Sequence, residues 1–316
     1  MALPMMRLAV PGGFAEPTNI KDVIDLYLRH AATEIVQAAF ESRRYELTDF
    51  AGQFGALALK DGRPYHLQLW IDSHPAWRSG WTRKRCVAGV QRAFNWAVKL
   101  GLITSNPFKG FSIEAGGRGE PMHLKEYQGV LRHSPPPFRR FVIGLRFTGC
   151  RPGELAKATW GDVDFNRACI ILDQHKTVKK TGKPRVIILH PVMLKLLAWQ
   201  RRRSMASRFF GDIGPKTLLF PNGKGGKWTN PAICWHVARM REKGVIGPTT
   251  TLYGLRFLYA VQATKAGVEL LTLMPLMGHT QPKTTAYYAD MAKQTDHLQA
   301  AVVKSFKHHS NSSGSG

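Results

Sequence analysis

The sequence predicts a mainly α-helical protein with a small β-sheet or hairpin, divided into two domains. Three observations carry this expectation. The 316 residues are long for one compact domain and leave each of two domains enough chain to bury its own core. Apolar residues recur at three- and four-residue steps in several stretches, the period of a helix with one buried face. One stretch, "ACIILDQHKTVKKTGKPRVIIL", reads instead as two β-rich runs about a turn, for which Gly182 and Pro184 are suited.

Residues 1–17 show little periodicity and are expected to form a flexible N-terminus. A helix is expected in "TNIKDVIDLYLRHA", with Thr18 or Asn19 as its cap and Val23, Ile24, Tyr27 and Leu28 along one apolar stripe. A second is expected in "WTRKRCVAGVQRAFNWAVKLGLI", where Val87, Val90, Phe94 and Val98 repeat and Gly101 suits the C-terminal cap. Its polar side carries Arg83, Lys84, Arg85 and Arg92, either a solvated face or a row of phosphate contacts. "SIEAGGRGE" breaks the periodicity on both sides, which places a helical domain at 18–112, a linker at 113–120 and a second domain at 121–306.

In the second domain a helix bearing Phe138, Phe141, Val142 and Leu145 runs into Gly149, Arg151 and Pro152, the last suited to a first helical position. After the basic hairpin, "NGKGGKW" reads as a hairpin or loop. Further helices are expected in "NPAICWHVARMREK", in "TLYGLRFLYAVQATKAG" ending at Gly267, and in "TDHLQAAVVKSF", whose Leu298, Ala301, Val302 and Phe306 share a face. Residues 307–316 have the composition of a disordered tail.

Lys and Arg number 45 against 21 Asp and Glu, a net charge of +24, so the expected partner is a polyanion. No apolar run approaches the about 20 residues needed to span a bilayer, and the N-terminus lacks a signal-peptide core; a cytoplasmic protein with no membrane partner is expected. Cys86, Cys150, Cys169 and Cys234 are scattered, without a CxxC pair, and are read as reduced core residues. "NGKGGKW" lacks the Ser or Thr and the spacing of a phosphate loop, and neither GxSxG nor HExxH occurs. No metal, nucleotide or other cofactor is expected.

Cleaving a phosphodiester without a metal requires cations on the non-bridging oxygens, an acid for the leaving oxygen and an in-line nucleophile. Arginine suits the first role because its fork donates two parallel hydrogen bonds and keeps its proton. Arg151 is a candidate clamp with Glu154 to orient it, although that pair is also a common structural ion pair. Lys176, crowded by Lys179, Lys180 and Lys183, is a candidate acid, or one residue of a solvated basic loop. Arg256 in "TLYGLRFLY", His279 in "LMGHT" and the pair Tyr287 and Tyr288 in "TTAYYAD" complete the set. Helical neighbours point about 100° apart, so only one of the two tyrosines can face a shared site.

In this order the motifs resemble those of the tyrosine recombinase, or phage integrase, family, and the resemblance covers most of the chain. It implies a helical core-binding (SAM-like) domain followed by an α+β catalytic domain. "TGCRPGEL" is similar to the family's first arginine motif, which makes Arg151 a phosphate clamp and Glu154 its supporting acid. "HKT" matches the position of the catalytic lysine, Lys176, and "LMGHT" assigns His279. "YGLR" stands where the family has His-x-x-Arg, so Arg256 carries over as the second clamp and Tyr253 replaces the usual His. Tyr288 falls nine residues after His279 (288 − 279), the spacing of the nucleophile, leaving Tyr287 as a packing residue. A phenol of pKa about 10 is a poor base but still hydrogen-bonds, so Tyr253 is carried as a site member and not as a general base.

The resemblance implies a site-specific DNA recombinase that cleaves and rejoins strands through a 3′-phosphotyrosyl intermediate, without metal or ATP. Its partner would be double-stranded DNA, contacted by Arg83, Lys84, Arg85, Arg92, Lys179 and Lys180, and bound protein would be nucleoid-associated. A homotetramer on DNA, docked through helix 295–306, is also implied. No separate arm-site-binding module is expected before residue 18. Two rivals stand beside this reading. One is a DNA-binding protein of the same fold with weakened or absent catalysis, for which Tyr253 is the evidence. The other is a type IB topoisomerase-like nicking-closing enzyme, against which the core-binding-like first half argues.

Overall fold

The computed structural model of the chain describes residues 16–116, 119–173, 182–206, 213–282 and 285–286, with only the backbone at 204–206. Lys176, Lys179, Lys180, Tyr287, Tyr288 and the segment 295–306 lie outside the described residues. The chain divides into two compact units, Met1–Arg118 and Gly119–Gly316.

The first unit contains α1 (Ile20–Glu34), α2 (Gln37–Phe54), α3 (Pro64–Asp72) and α4 (Gly80–Lys99). Both candidate residues serve at the start of α1. Asn19 Oδ1 accepts the Asp22 N–H at 2.9 Å, and Asp22 Oδ2 accepts from the N–H groups of Asn19 and Thr18 at 3.2 and 2.9 Å and from the Thr18 hydroxyl at 3.0 Å, satisfying donors that a helix start otherwise leaves orphaned. Val23, Ile24 and Tyr27 pack with Leu47 and Phe50 of α2, Trp70 of α3, and Val87, Val90 and Phe94 of α4. Burying each such side chain contributes roughly 1.5–3 kcal/mol. Leu28 packs at the edge of this core, partly buried, and Val98 is likewise partly buried. At the end of α4, Gly101 takes φ +72° and Leu102 N–H closes on the Ala97 carbonyl at 3.0 Å.

The second unit contains α5 (Leu124–His133), α6 (Pro136–Thr148), the short α7 (Pro152–Leu155), strands β1 (Val163–Asp164), β2 (Cys169–Leu172) and β3 (Arg185–Ile188), then α8 (Pro191–Ala206), α9 (Asn230–Glu242), α10 (Tyr253–Lys265) and α11 (Leu270–Met277). The expected hairpin forms from β2 and β3, antiparallel, with Ile170 opposite Ile187 and Leu172 opposite Arg185. The sequence did not single out β1, a two-residue strand that pairs with β2. Helix α6 is central, in contact with α5, α7, α8 and α10. Phe138, Phe141, Val142 and Leu145 are its buried face, packed with Leu155, Ile170, Ile187, Phe220 and Leu255. "NGKGGKW" is a turn closed by Asn222, whose N–H donates to the Gly226 carbonyl at 2.8 Å.

One expectation is corrected. Cys86, Cys150 and Cys169 are buried, but Cys234 is exposed. The buried positions of α9 are Ile233, Val237 and Met240, and residue 234 stands about 100° round the helix from Ile233. Among the described residues no helix is long and apolar enough to cross a membrane.

Candidate active site

The site begins where α6 stops. Gly149 adopts φ +60°, its N–H capping the Leu145 carbonyl at 3.1 Å. A Cβ at this position would stand 2.4 Å from the Tyr259 ring, so both the backbone angle and the close approach require glycine. The reversal leaves Arg151 as the cap of α7, with Pro152 as its first helical residue. Glu154 Oε2 accepts the Arg151 backbone N–H at 3.0 Å and Oε1 accepts Nη1 at 2.7 Å, so one carboxylate fixes both ends of the same residue. The Arg151 side chain keeps 22% exposure.

Arg256, on the first turns of α10, is 1% exposed. Its Nη1 donates to the Gly149 carbonyl at 2.6 Å, and its Nη2 donates to the Met277 carbonyl and to His279 Nε2, the latter at 2.8 Å. His279 is placed by the end of α11. Gly278 takes φ +62°, its N–H meets the Pro275 carbonyl and the His279 N–H meets the Met274 carbonyl, each at 3.0 Å, which is a Schellman turn. His279 Nδ1 lies 2.9 Å from the hydroxyl of Thr285, itself fully buried.

A third arginine completes the array. Arg185 opens β3 and is 5% exposed. It donates through Nη1 to the Pro275 carbonyl and through Nη2 to the Leu276 carbonyl at 2.6 Å. Arg151 Nη2 reaches the Gly278 carbonyl at 3.3 Å. The four consecutive carbonyls of residues 275 to 278 are therefore taken by three arginines from three elements. A helix C-terminus presents unsatisfied acceptors and partial negative charge, which is what guanidinium groups satisfy. The Nε–H groups of Arg185 and Arg256 find no protein acceptor among the described residues.

The electrostatics follow from this crowding. Burial, then the charges of Arg256, Arg151 and Arg185, push the His279 imidazole down to about 4, with Glu154 opposing. Burial alone would raise the Glu154 carboxyl; hydrogen bonds from the Arg151 backbone and guanidinium, with the charges of Arg151 and Arg185, hold it below its ordinary value. Burial raises the neighbouring Cys150 thiol to about 11, so it stays protonated. Among the described residues no group of three His, Cys, Asp or Glu side chains is arranged to hold a metal ion.

The local pair Arg151 and Glu154 is thus brought into one hydrogen-bonded array with Arg256 and His279, more than 100 residues further along the chain. Tyr253 stands at the edge, 38% exposed, its ring edge-on to Phe257 at 5.2 Å and the Arg256 guanidinium 6.0 Å from its centroid. Arg185 and Thr285 were not singled out by the sequence. The signal for Arg185 was its register: it shares the inward face of β3 with Ile187, an apolar position where a cation needs dedicated partners. On α4, Arg83 Nε is held by the Trp77 carbonyl at 2.7 Å, and Arg85 pairs with Glu46 and with the Ser42 hydroxyl at 2.7 Å. Lys84 and Arg92 are exposed.

Residues 139–295, which span this array, match the family model described as the phage integrase family. The chain belongs to the phage integrase family of tyrosine recombinases. Among related members of that family, tyrosine recombinase XerC of Roseiflexus sp. is 25% identical over 287 residues, 85% of this chain and 89% of that protein. Tyrosine recombinase XerD of Pseudomonas aeruginosa is 23% identical over 239 residues, 71% of this chain and 77% of that protein. Among solved structures, the Tn1549 transposon integrase in complex with a circular intermediate DNA aligns with a TM-score of 0.72 at 17% identity, over 91% of this chain and 100% of that one. A lambda integrase dimer bound to a COC′ core site aligns at 0.69 and 17%, over 87% and 79%. At these identities the likeness to the solved structures is one of fold.

Proposed function

We propose that this family member is a site-specific DNA recombinase that cleaves and rejoins strands through a 3′-phosphotyrosyl link. The observation that carries the reading is the convergence of Arg151, Arg256 and His279 on the turn at 277–279. Two guanidinium forks suit the non-bridging oxygens of a phosphodiester, whose charge grows in the transition state, and the imidazole beside them becomes a donor once that negative charge favours its protonated form. Glu154 fixes the Arg151 fork before substrate arrives, so less ordering remains to be done on binding.

In this mechanism Tyr288 attacks phosphorus in line, its phenolic proton passing to solvent, while the P–O5′ bond breaks and Lys176 protonates the departing 5′ oxygen. The phosphate ester then resides on the tyrosine, and the 5′-hydroxyl of a second strand reverses the step and releases the phenol. No ATP is consumed, because one ester is exchanged for another. Net charge +24, with Lys84, Arg92 and the hairpin lysines Lys179 and Lys180, supports binding along duplex phosphates. Four protomers on two sites, docked through residues 295–306, is the assembly this reading entails; a lambda integrase tetramer bound to a Holliday junction is among the structures of like fold.

The experiment is covalent capture. A binding site is first selected from randomised duplex DNA, then built into a nicked suicide duplex and incubated with the protein. Wild type and Tyr287→Phe are expected to give a protein–DNA band on a denaturing gel, and Tyr288→Phe none. An adduct from Tyr288→Phe would overturn the nucleophile assignment. The second reading, a DNA-binding protein without catalysis, draws on the phenol at 253, and it gains if wild type binds the selected site but forms no adduct.

A further inference from the structure

We propose that Arg185 is a positioning residue of this site, acting through the C-terminal turn of α11 to hold His279 and the Gly278 carbonyl against Arg256 and Arg151. The inference rests on the recombinase reading for its catalytic consequence, though not for its geometry.

Arg185 is 5% exposed, on a strand face otherwise given to the core, and its guanidinium spans the last turn of a neighbouring helix instead of reaching solvent. That turn needs support. Helix α11 has only eight residues, carries Pro275 inside it and must reverse at Gly278. Proline lacks the N–H that would hold the Leu271 carbonyl, so the helix is weakened one turn before the site. Arg185 instead takes the Pro275 and Leu276 carbonyls and ties them to β3, where Nη1 also donates to the Val186 carbonyl at 2.8 Å.

The fit is close on the other side. A Cβ on Gly278 would stand 2.7 Å from Arg185 Nε and 3.0 Å from its Cζ, so the guanidinium lies directly under the turn. Two residues carry consequences. Gly278 presents its carbonyl to Arg151, and His279 follows immediately, bonded to Arg256. A shift of this turn therefore moves one partner of each clamp arginine. A lysine here offers a compact ammonium and cannot span two carbonyls with a planar fork.

Among the described residues, the groups facing His279 include Arg256 from α10, Arg151 and Glu154 from the α6–α7 junction, Arg185 from β3 and the Thr285 hydroxyl. Arg185 thus also contributes positive charge that opposes protonation of the imidazole.

Arg185→Gln and Arg185→Lys test the inference by two readouts. Single-turnover adduct formation on the nicked duplex, with protein saturating, is expected to fall in the order wild type, Lys, Gln, with Gln down about tenfold or more, while the Kd for the same duplex stays within about twofold. In DNA-free protein the His279 imidazole, followed by NMR and assigned by its loss in His279→Gln, is expected to titrate about half a unit higher in Gln than in wild type and to stay near wild type in Lys. Equal cleavage rates in all three proteins, or a loss confined to Kd, would overturn the positioning role. If Gln does not fold, the Lys variant decides alone: a wild-type cleavage rate overturns the role, and slowed cleavage with intact Kd supports it. Absence of adduct from wild type on a selected site counts against the recombinase reading; the His279 titration still decides whether Arg185 acts on that imidazole.

Discussion

Arg256 Nη2 and His279 Nε2 stand 2.8 Å apart, and only the arginine can supply the hydrogen between them. The imidazole is therefore an acceptor at Nε2, neutral, with its proton on Nδ1 donated to Thr285. The same crowding that pushes it down to about 4 keeps it so.

This predicts an NMR midpoint for His279 well below 6.5 in DNA-free protein, rising when a duplex site brings a phosphate anion to the array. A free-protein midpoint at or above 6.5 would contradict the geometry. The sign for stability follows from linkage. The folded-state value is depressed, so between about pH 4 and 6.5 the unfolded chain binds more protons. The contribution is fully present above 6.5 and is lost as pH falls toward 4. Urea denaturation at pH 7 and pH 5 should show wild type losing more stability than His279→Gln.

Glu154→Gln removes the carboxylate that holds the Arg151 fork and is expected to cost roughly 1–3 kcal/mol at pH 7. The Glu154 carboxyl is held below its ordinary 4.5, so its contribution is present above that value and is lost as pH falls through the depressed one. The difference between wild type and variant should narrow in acid. Equal stabilities at pH 7 would mean that the pair contributes no net energy.

Gly149→Ala combines a backbone angle unfavourable to any L side chain with a Cβ driven into the Tyr259 ring. The two effects together are expected to cost about 2–4 kcal/mol. Adding Tyr259→Ala relieves the collision but not the angle, so the double variant should lack only part of the Gly149→Ala penalty. Chemical denaturation of the three proteins measures both parts.

Three basic residues of α4, Lys84, Arg85 and Arg92, should separate by experiment. Replacing Lys84 or Arg92 by Ala is expected to reduce the slope of log Kd against log salt by about one each. Arg85→Ala takes the cation from the buried Glu46 carboxylate, leaving it the Ser42 hydroxyl, and should lower the melting temperature more than the slope. An Arg85 slope change equal to that of Lys84 would show that its ion pair opens on DNA.

Much of the architecture was legible because it depends on local chemistry. The cap at Asn19, the stripe Val87, Val90 and Phe94, the reversal at Gly149 before Pro152 and the hairpin about Gly182 each follow from residue type and period over a few positions. The pairing of Arg151 with Glu154 was legible for the same reason, since they stand three positions apart, at the cap and the first turn of one short helix. Helices α2 and α3 were not: the apolar side chains that α2 buries are only Leu47 and Phe50, and α3 carries apolar residues on both faces, with Leu67, Trp70 and Ile71 buried but Tyr65 and Leu69 exposed, so the assembled core decides which face is inside.

The sequence by itself named the candidate residues, since the order of the arginine, histidine and tyrosine motifs is a property of the chain. The tertiary structure decided what those residues do to one another. That Arg256 is buried and bonded to Gly149, Met277 and His279 depends on α6, α10 and α11 meeting. That a third arginine grips the same turn depends on the register of β3. The physical reason is that helix-end carbonyls accept from whatever cation packing brings within about 3 Å, and that partner is set by long-range contact, not by neighbours in sequence.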